Sequence, residues 1–313
     1  MFNVRRPMFL YTEGSVHPGA GSSPGVVDLP IQREVHTGLP IIQGSELKGA
    51  LREHMETLLG EDHGDVKRVF GTAAEADGAG WGGALGFSMA QVLLFPVASL
   101  KGVFAWVTCP MCLSRLRFDL RSAGLPDRLP AAVPDVPGEE TVLVPKGAGD
   151  LLMEGTVFLS EFPFESKENE ELAKIAAYLS GRLPPGHDYF RDKLYRKKGD
   201  GLQSNLVLVH DDVFRDLLAI RTEVVHRNVI DKKTGTTQNL WTEENLPGDV
   251  LMYSLIYAAD PYQPNGNLRT AEDVAGFLES NNVGAFILGG SQTVGRGWIS
   301  ATFDKPEAAK PKT

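Results

Sequence analysis

The stretch GSELKGALREHMETLLG, residues 44–60, carries the clearest helical pattern in the chain. Apolar residues recur in it at intervals of three or four positions: Leu47, Leu51, Met55 and Leu58. Ser45 is a residue type that commonly caps a helix N-terminus, and Gly60 suits the position just after a helix ends. The pattern therefore predicts an amphipathic helix that starts with Ser45 as its N-cap and ends before Gly60.

Predicted strands and further helices lie on both sides of this helix. The strands are predicted at residues 4–12, 84–97, 102–109, 206–210, 250–259, 284–288 and 298–303. The other helices are predicted at residues 113–123, 169–179 and 213–220, and at a segment that starts with the capping pair Thr270 and Asp273. This order of elements indicates an α+β fold, and a ferredoxin-like core with large inserted segments fits it best.

Composition distinguishes three more segments. Residues 13–44 form a long loop rich in Gly, Ser and Pro, and loops of this length are usually functional or disordered. The mixture of Val, Ile and Pro within it favours an ordered loop. Residues 124–150 carry five prolines and predict an excursion, followed by a strand at 151–158. Residues 224–241 predict a long exposed hairpin with its tip near residues 232–235.

We expect one domain over residues 1–303, with an insertion at about 124–200, a hairpin at about 221–247 and a disordered tail at 304–313. The chain has 313 residues, 31 basic and 40 acidic, which argues against a protein that binds nucleic acid with its whole surface. The acidity is regional, because residues 139–180 hold 3 basic and 9 acidic residues, so a basic groove elsewhere is possible. Neither a secretory signal nor a membrane span is recognisable, and we expect a cytoplasmic protein.

The start of the first helix could bind an anion. Lys48 and Arg52 are four residues apart, which places both cations on one helix face. Gly44 leaves the first helical N–H groups open, and a helix N-terminus beside cations favours phosphate. A solvated basic face on an ordinary amphipathic helix explains the same pattern, and from the pattern alone it is the better explanation.

A glycine-rich run, GGSQTVGRG at residues 289–297, lies between two predicted strands. A dinucleotide-binding fingerprint requires a helix after the glycines, so we reject that interpretation. Glycines allow close backbone approach to a phosphate chain, and Arg296 adds a positive charge. A flexible hairpin loop is an equally good explanation.

The long loop carries several side chains that could perform chemistry: His17, Asp28, Arg33, Glu34 and His36. An aspartate in a glycine-rich loop can hold a divalent metal or orient a nucleophile, and a histidine can act as acid, base or phosphate ligand. The spacing matches no recognised metal signature. The simpler alternative is that His17 caps the strand and Asp28 forms an Asx-turn.

Glu243 and Glu244 follow Trp241 at the base of the predicted hairpin. Adjacent residues on an extended chain point to opposite sides, so at most one of them would face a given site. A solvated acidic turn is the ordinary alternative. Cys109 and Cys112 provide half a zinc site at best, because no second CxxC or HxxxH accompanies them, and two ordinary thiols are the simpler interpretation.

A basic cluster interleaved with aromatic residues occupies residues 189–198. Its cations are Arg191, Lys193, Arg196, Lys197 and Lys198, and its aromatic residues are Tyr189, Phe190 and Tyr195. Aromatic rings stack on bases and cations follow the backbone of a nucleic-acid strand, so this segment could track one. A solvated loop with buried aromatic anchors is the alternative.

Four runs, taken together and in order, resemble a known family. They are HPGAGS at residues 17–22, GVVDLPIQRE at 25–34, HTGLP at 36–40 and GSELKGALR at 44–52. They closely resemble the repeating backbone subunits of type III-B (Cmr) CRISPR complexes, which belong to the RAMP superfamily. Residues 289–297 resemble the C-terminal glycine-rich loop of that superfamily, and the similarity spans nearly the whole chain.

The resemblance implies a modified RRM-like (ferredoxin-like) palm with inserted segments and a protruding β-hairpin thumb, which here would be residues 224–241. Copies would stack head to tail along a guide RNA, beside other subunits of the Cmr complex. Each thumb would displace one base pair of the guide–target duplex at regular intervals, and the target RNA would be cut beside it. Sequence choice would rest on base pairing, so the protein would only grip backbone.

The resemblance also implies residue roles. Asp28 matches an essential catalytic acid, His17 a loop histidine near the scissile phosphate, and Glu243, with Glu244 as second choice, an acid at the thumb base. The family often has an aromatic residue shortly after this acid, where this chain has Asn245. Mg²⁺ or Mn²⁺ is expected, with Asp28 either a ligand of the ion or the group that orients the 2′-hydroxyl. The guide phosphates would be held by Ser45, Lys48, Arg52, Gly289, Gly290, Gln292, Thr293, Gly295 and Arg296.

Two other functions stay open at this point. The chain could be a non-catalytic RNA-binding filament subunit, with cleavage supplied elsewhere. It could also be a monomeric ribonuclease that processes precursor guide RNA. The acidic segment 139–171 fits a face turned away from RNA, which could face another subunit.

Overall fold

A large mixed β-sheet forms the centre of the structure, a computed structural model that describes residues 2–72, 80–125, 129, 132–186, 196–198, 201–203 and 205–304. The strands are β1 (Val4–Thr12), β2 (Ile41–Ile42), β3 (Leu85–Phe87), β4 (Ala90–Ala98), β5 (Phe104–Thr108), β6 (Thr141–Pro145), β7 (Leu152–Met153), β8 (Thr156–Leu159), β9 (Phe162–Asn169), β10 (Arg196–Lys198), β11 (Gly201–Gln203), β12 (Leu206–Leu208), β13 (Glu223–Ile230), β14 (Thr237–Asn245), β15 (Leu251–Ala258), β16 (Ala285–Ile287) and β17 (Trp298–Phe303). The helices are α1 (Gly44–Leu59), α2 (Gly64–Phe70), α3 (Pro110–Ser122), α4 (Glu170–Ser180), α5 (Asp211–Ile220), α6 (Ala271–Ala275) and α7 (Phe277–Ser280), with a 3₁₀ turn at Gln292–Val294.

The sheet has the strand order β16-β17-β1-β15-β4-β5-β12-β6-β9-β8-β7, with β2 beside β4 and β3 beside β15. Strand β1 lies between β15 and β17 and is antiparallel to both. Two pairs, β5 with β12 and β6 with β9, are parallel. The predicted α+β class is therefore confirmed, as a mixed sheet with helices packed on it.

Both faces of the central strand are covered. Met8 and Leu10 belong to one buried cluster, which includes the apolar face of α1, and Phe9 and Tyr11 belong to a second cluster, which includes α3 and α4. Because successive side chains of a strand point to opposite faces, this alternation buries β1 on both sides. Each fully buried side chain of this size contributes roughly 1.5–3 kcal/mol.

Helix α1 starts two residues earlier than predicted, and the prediction that Ser45 is its N-cap is wrong. The N-cap is Gln43, which makes no side-chain capping hydrogen bond. A Cβ atom on Gly44 would lie 2.3 Å from the carbonyl oxygen of Phe87, so glycine lets the helix start lie directly against the backbone of β3. Leu58 is 54% exposed and does not belong to the buried face.

The predicted excursion and insertion contain part of the central sheet. Strands β6 to β9 continue the sheet beyond β12, and the single strand predicted at residues 151–158 is a hairpin of β7 and β8. Its turn places Glu154 at φ 51° and Gly155 at φ 85°. Strand β9 was not predicted because its sequence, FPFESKEN, is mostly polar and exposed. Its backbone nevertheless pairs with β6 and β8.

The predicted hairpin is present as β13 and β14, which pair with each other and with no other described strand. Its outer half is exposed on both faces. The capping pair Thr270 and Asp273 forms a reciprocal capping box at the start of α6. The helix predicted to follow it is interrupted at Gly276 and continues as α7.

Two predicted features cannot be compared with the structure. The side chains of the basic cluster at residues 189–198 and residues 305–313 of the predicted tail lie outside the described residues. Within the described part of the chain, no helix is long and apolar enough to cross a membrane.

Candidate RNA-cleavage site

The long loop after β1 is ordered and lies against the base of the hairpin. The backbone N–H of Leu29 donates to Thr242 O at 3.0 Å, and the N–H of Glu244 donates to Leu29 O at 2.9 Å. On the other side of the loop, Val16 and Leu246 exchange two backbone hydrogen bonds of 3.0 and 2.8 Å. The end of β14 and the residues just after it therefore hold both loop segments that carry the predicted catalytic residues.

The carboxylate of Asp28 is anchored by Thr242 and exposed to solvent. Its Oδ2 accepts the backbone N–H of Thr242 at 2.7 Å and the Thr242 hydroxyl at 2.8 Å. These hydrogen bonds, the backbone one foremost, hold the pKa of Asp28 below its usual range, so the group is ionised near neutral pH. Oδ1 has no hydrogen-bond partner among the described residues. The side chain forms no Asx-turn, and its free oxygen can orient a hydroxyl or ligate a cation.

His17 lies on the neighbouring part of the same loop, and its ring orientation is fixed. Nδ1 lies 2.6 Å from the carbonyl oxygen of Glu244. A carbonyl oxygen can only accept, so Nδ1 carries a proton and Nε2 is the atom left to accept or donate a proton elsewhere. His17 and Asp28 are thus both attached to residues 242–244.

Glu243 is buried, with 3% of its surface exposed, and it is clamped by two arginines. Arg227 Nη1 lies 3.2 Å from Oε2, and Arg296 Nη1 donates to Oε1 in a very close ion pair. The Ser291 hydroxyl donates to Oε1 at 3.4 Å. Arg296 also donates to the side chain of Asn245 at 3.1 Å. This cluster joins the hairpin to the glycine-rich loop.

Glu244 points to the opposite side of β14, as expected for adjacent strand residues. Its Oε1 accepts from Arg33 at 2.6 Å and from the Thr222 hydroxyl at 2.7 Å, and its Oε2 accepts the N–H of Ile31 at 3.1 Å. Burial alone would raise the pKa of Glu244, but the hydrogen bonds from Thr222 and Arg33 lower it. The alternative of a solvated acidic turn is wrong for both glutamates, because arginines from distant segments bury and neutralise them.

The glycine-rich loop lies beside His17. Gly289 has φ 85°, and a Cβ atom there would lie 2.5 Å from the carbonyl oxygen of His17, so only glycine fits. Exposed loop residues predicted to hold RNA are Gly290, Gln292, Thr293 and Gly295. Arg296 is mostly buried against Glu243, so its guanidinium is already engaged within the protein.

The start of α1 is connected to the same loop through Gln32. The Gln32 amide donates to Gly19 O at 2.9 Å and to the Glu46 carboxylate at 3.0 Å, and its oxygen accepts the N–H of Gln43 at 3.1 Å. Lys48 is half-buried, and its pKa is lowered by burial and by the nearby charge of Arg52. Arg52 forms an ion pair with Glu56 at 2.7 Å. Ser45 is exposed at the first turn.

Metal-binding potential elsewhere is limited in the described part of the chain. Cys109 and Cys112 are buried free thiols, which agrees with the interpretation as ordinary cysteines. Among the residues that the structure describes, Glu139, His210 and Asp212 form the one group of three potential ligands close enough for a metal, and this group contains none of the predicted site residues. Asp212 is already paired with Arg215 at 2.8 Å.

The structure brings together His17, Asp28, Glu243, Glu244 and the glycine-rich loop, with the α1 start joined to them by Gln32. No sequence pattern marks Thr242, Arg227 or Gln32 as part of the site. These residues act on partners far away in sequence. Only the cross-strand register of Arg227 opposite Trp241 would have placed its side chain on the face of Glu243.

Comparisons with known proteins agree with this architecture. The model of the RAMP superfamily matches residues 9–300. The curated protein named CRISPR system Cmr endoribonuclease Cmr4, from Pyrococcus furiosus, is 33% identical over 296 residues, which cover 94% of each chain.

Two solved structures show the same fold. The crystal structure of oligomeric Cmr4 from Pyrococcus furiosus superposes with a TM-score of 0.72 at 27% identity, and the match covers 97% of this chain and 99% of that one. A chain in the cryo-EM structure of the type III-B Cmr-beta complex bound to cognate target RNA superposes with a TM-score of 0.67 at 18% identity. That match covers 96% of this chain and 98% of that one, and it supports the fold alone.

Proposed function

Because the chain belongs to the RAMP superfamily and is related to Cmr4 over nearly its whole length, we propose that it is a repeating backbone subunit of a type III-B CRISPR effector complex. In this proposal, copies of the chain bind a guide RNA side by side and cut the paired target RNA beside each hairpin. Its partners are then the guide RNA, the target RNA, neighbouring copies and other Cmr subunits in the cytoplasm. The curated relative is named an endoribonuclease, and the crystallised relative is described as oligomeric.

One observation carries the catalytic part of the proposal. Asp28 is an exposed, ionised carboxylate fixed at the base of the hairpin, with Oδ1 left open. The other acids nearby, Glu243 and Glu244, are buried against arginines. The two glutamates therefore hold the surrounding segments in place, and Asp28 is the one of these three acids that faces solvent.

Geometry explains why the cut would fall beside the hairpin. Cleavage through the 2′-oxygen requires that oxygen, the phosphorus and the leaving 5′-oxygen to lie in line, and the A-form duplex holds them away from this alignment. A hairpin that displaces a base pair frees the flanking nucleotide. Asp28 then orients the 2′-hydroxyl or accepts its proton, and His17 Nε2, when protonated, can donate to the leaving oxygen.

A divalent ion, Mg²⁺ or Mn²⁺, is part of the proposal. Mg²⁺ sites often use only one or two carboxylates together with water and substrate phosphates, so Asp28 Oδ1 and a target phosphate suit such an ion. Glu243 and Glu244 are engaged by arginines and are poor second ligands. The ion would supply neutralisation of negative charge that develops on the phosphate.

Guide-RNA binding is assigned to the α1 start and the glycine-rich loop. Lys48 and Arg52 share a helix face, and like charges held close together favour an anion between them. Exposed Gln292 and Thr293 and the glycines at 290 and 295 offer hydrogen bonds and close backbone approach. Arg296 would contribute to RNA binding indirectly, because its ion pair with Glu243 holds the conformation of the glycine-rich loop.

A second candidate function is a non-catalytic filament subunit. The observation that favours it is that arginines engage both Glu243 and Glu244, which leaves Asp28 as the single free acid of the three predicted ones. Both functions require salt-sensitive RNA binding. A complex assembled from this chain, guide RNA and the other Cmr subunits separates them. Regularly spaced fragments from the wild-type complex that disappear when this chain carries Asp28→Ala support the proposal. Fragments that persist in a fully assembled Asp28→Ala complex would support the non-catalytic alternative, because another subunit then cuts the target.

A further inference from the structure

Thr242 and Asp28 are bound to each other by three hydrogen bonds. The backbone N–H of Asp28 donates to the Thr242 hydroxyl oxygen at 2.9 Å. The hydroxyl in turn donates to Asp28 Oδ2 at 2.8 Å, and the backbone N–H of Thr242 donates to the same Oδ2 at 2.7 Å. The hydroxyl is thus used twice, once as acceptor and once as donor.

This arrangement fixes the rotation of the carboxylate. Two donors on Oδ2, one from the backbone and one from the hydroxyl, restrain the rotation of the carboxylate. The backbone bond alone would hold one oxygen, but it would leave the carboxylate plane free to turn about it. The hydroxyl therefore supplies the restraint that a single hydrogen bond lacks.

Thr242 also belongs to the hairpin. It lies on β14, directly opposite His226 on β13, and its carbonyl accepts the N–H of Leu29. A shift of the hairpin therefore moves Asp28 with it. Sequence spacing does not reveal this connection, because the two residues are 214 positions apart.

We propose that Thr242 is the positioning residue of the cleavage reaction, which aligns the Asp28 carboxylate on the hairpin through its hydroxyl. The inference rests on the proposed function, because it assigns to Thr242 a role in the chemistry of Asp28. A misaligned reactive group can cost about a hundredfold in rate without loss of substrate binding.

The test uses the assembled complex with guide RNA and compares three forms of the chain: wild type, Thr242→Val and Thr242→Ser. Valine keeps the branched shape that suits a strand but has no hydroxyl, and serine keeps the hydroxyl. The measurements are the single-turnover cleavage constant and the Kd for target RNA. Thr302→Val is the matched control, since that sheet threonine donates to the carbonyl of Arg182 in another part of the molecule.

We expect Thr242→Val to lower the cleavage constant about tenfold to a hundredfold with the Kd unchanged, and Thr242→Ser to cleave close to wild type. The inference is overturned if valine cleaves within twofold of wild type, or if serine falls as far as valine. If the valine variant does not assemble, Thr242→Cys takes its place, since a thiol is a weak donor. Wild-type cleavage by that variant would overturn the inference equally.

An Asp28→Asn complex in the same experiment distinguishes a failure of the Thr242 positioning role from a failure of the proposed function. If Asp28→Asn is inactive and Thr242→Val is fully active, the positioning role fails and the proposed function stands. If Asp28→Asn cleaves normally, the catalytic assignment itself fails.

Discussion

Glu243 on the hairpin and Arg296 in the glycine-rich loop form a buried ion pair, with Arg227 on the other carboxylate oxygen of Glu243. Buried charges are costly when they lose a partner, because the remaining charge is left without water. The pair therefore fixes the glycine-rich loop to the hairpin base. Its loss should lower the free energy of unfolding, a quantity that can be measured without a cleavage assay.

Arg296→Met should lower the free energy of unfolding by about 1–3 kcal/mol, less than for a buried charge left wholly unpaired, because Arg227 still pairs with Glu243. Arg227→Met should cost less, because the Arg227 side chain is 29% exposed against 13% for Arg296. Urea unfolding of the purified chain measures both. Lys174→Met is the control, since Lys174 and Glu171 form an exposed pair on α4, and it should change stability by no more than about 0.5 kcal/mol. Equal changes in unfolding free energy for all three substitutions would contradict a stabilising role for the pairs of Arg227 and Arg296 with Glu243.

Glu244 makes stability depend on pH in a defined direction. Its folded pKa lies below the ordinary value of 4.5, so its ionised form stabilises the fold fully above that pH. This contribution is lost as the pH falls through the lower folded value. The difference in unfolding free energy between wild type and Glu244→Gln should therefore be largest near neutral pH and shrink below about pH 4.5. A difference that stays constant from pH 7 to pH 3 would contradict the role of the Arg33 and Thr222 contacts.

Lys48 and Arg52 should contribute to RNA binding through charge. Replacement of either by Gln should weaken binding for all guide sequences alike and reduce the slope of log affinity against log salt by about 1. The Arg52–Glu56 pair joins residues four apart on one helix face and is only partly buried, so it is weak enough to open for a phosphate. Filter binding or fluorescence anisotropy over a salt series measures the slope. Lys146→Gln, in the acidic segment, is the control, and an equal slope change there would remove the assignment.

The sequence predicted the framework of the site well, because that framework depends on local patterns. The spacing of Leu47, Leu51 and Met55 predicted α1, and residues 224–241 predicted the hairpin, with its tip near residues 232–235. Each pattern lies within one continuous segment, so local propensity and the final structure agree.

The engagement of the acids could not be predicted in this way. Glu243 is neutralised by residues 16 and 53 positions away, and Glu244 by Arg33, 211 positions away. Such pairs exist only after the loop, the hairpin base and the glycine-rich loop meet. Ser45 was assigned as a cap for a related reason, since the close approach of Gly44 to Phe87, a tertiary contact, sets the helix start.

The most direct measurement is target cleavage by a complex that contains Asp28→Ala, with assembly followed on the same sample by size. The Asp28 carboxylate is exposed and is bonded to Thr242 on the hairpin, away from the α1 start and the glycine-rich loop, so its loss should leave guide binding and stacking intact. The regularly spaced fragments should disappear, with a rate loss of at least about a hundredfold. Cutting at the wild-type rate and positions by a fully assembled Asp28→Ala complex would contradict it.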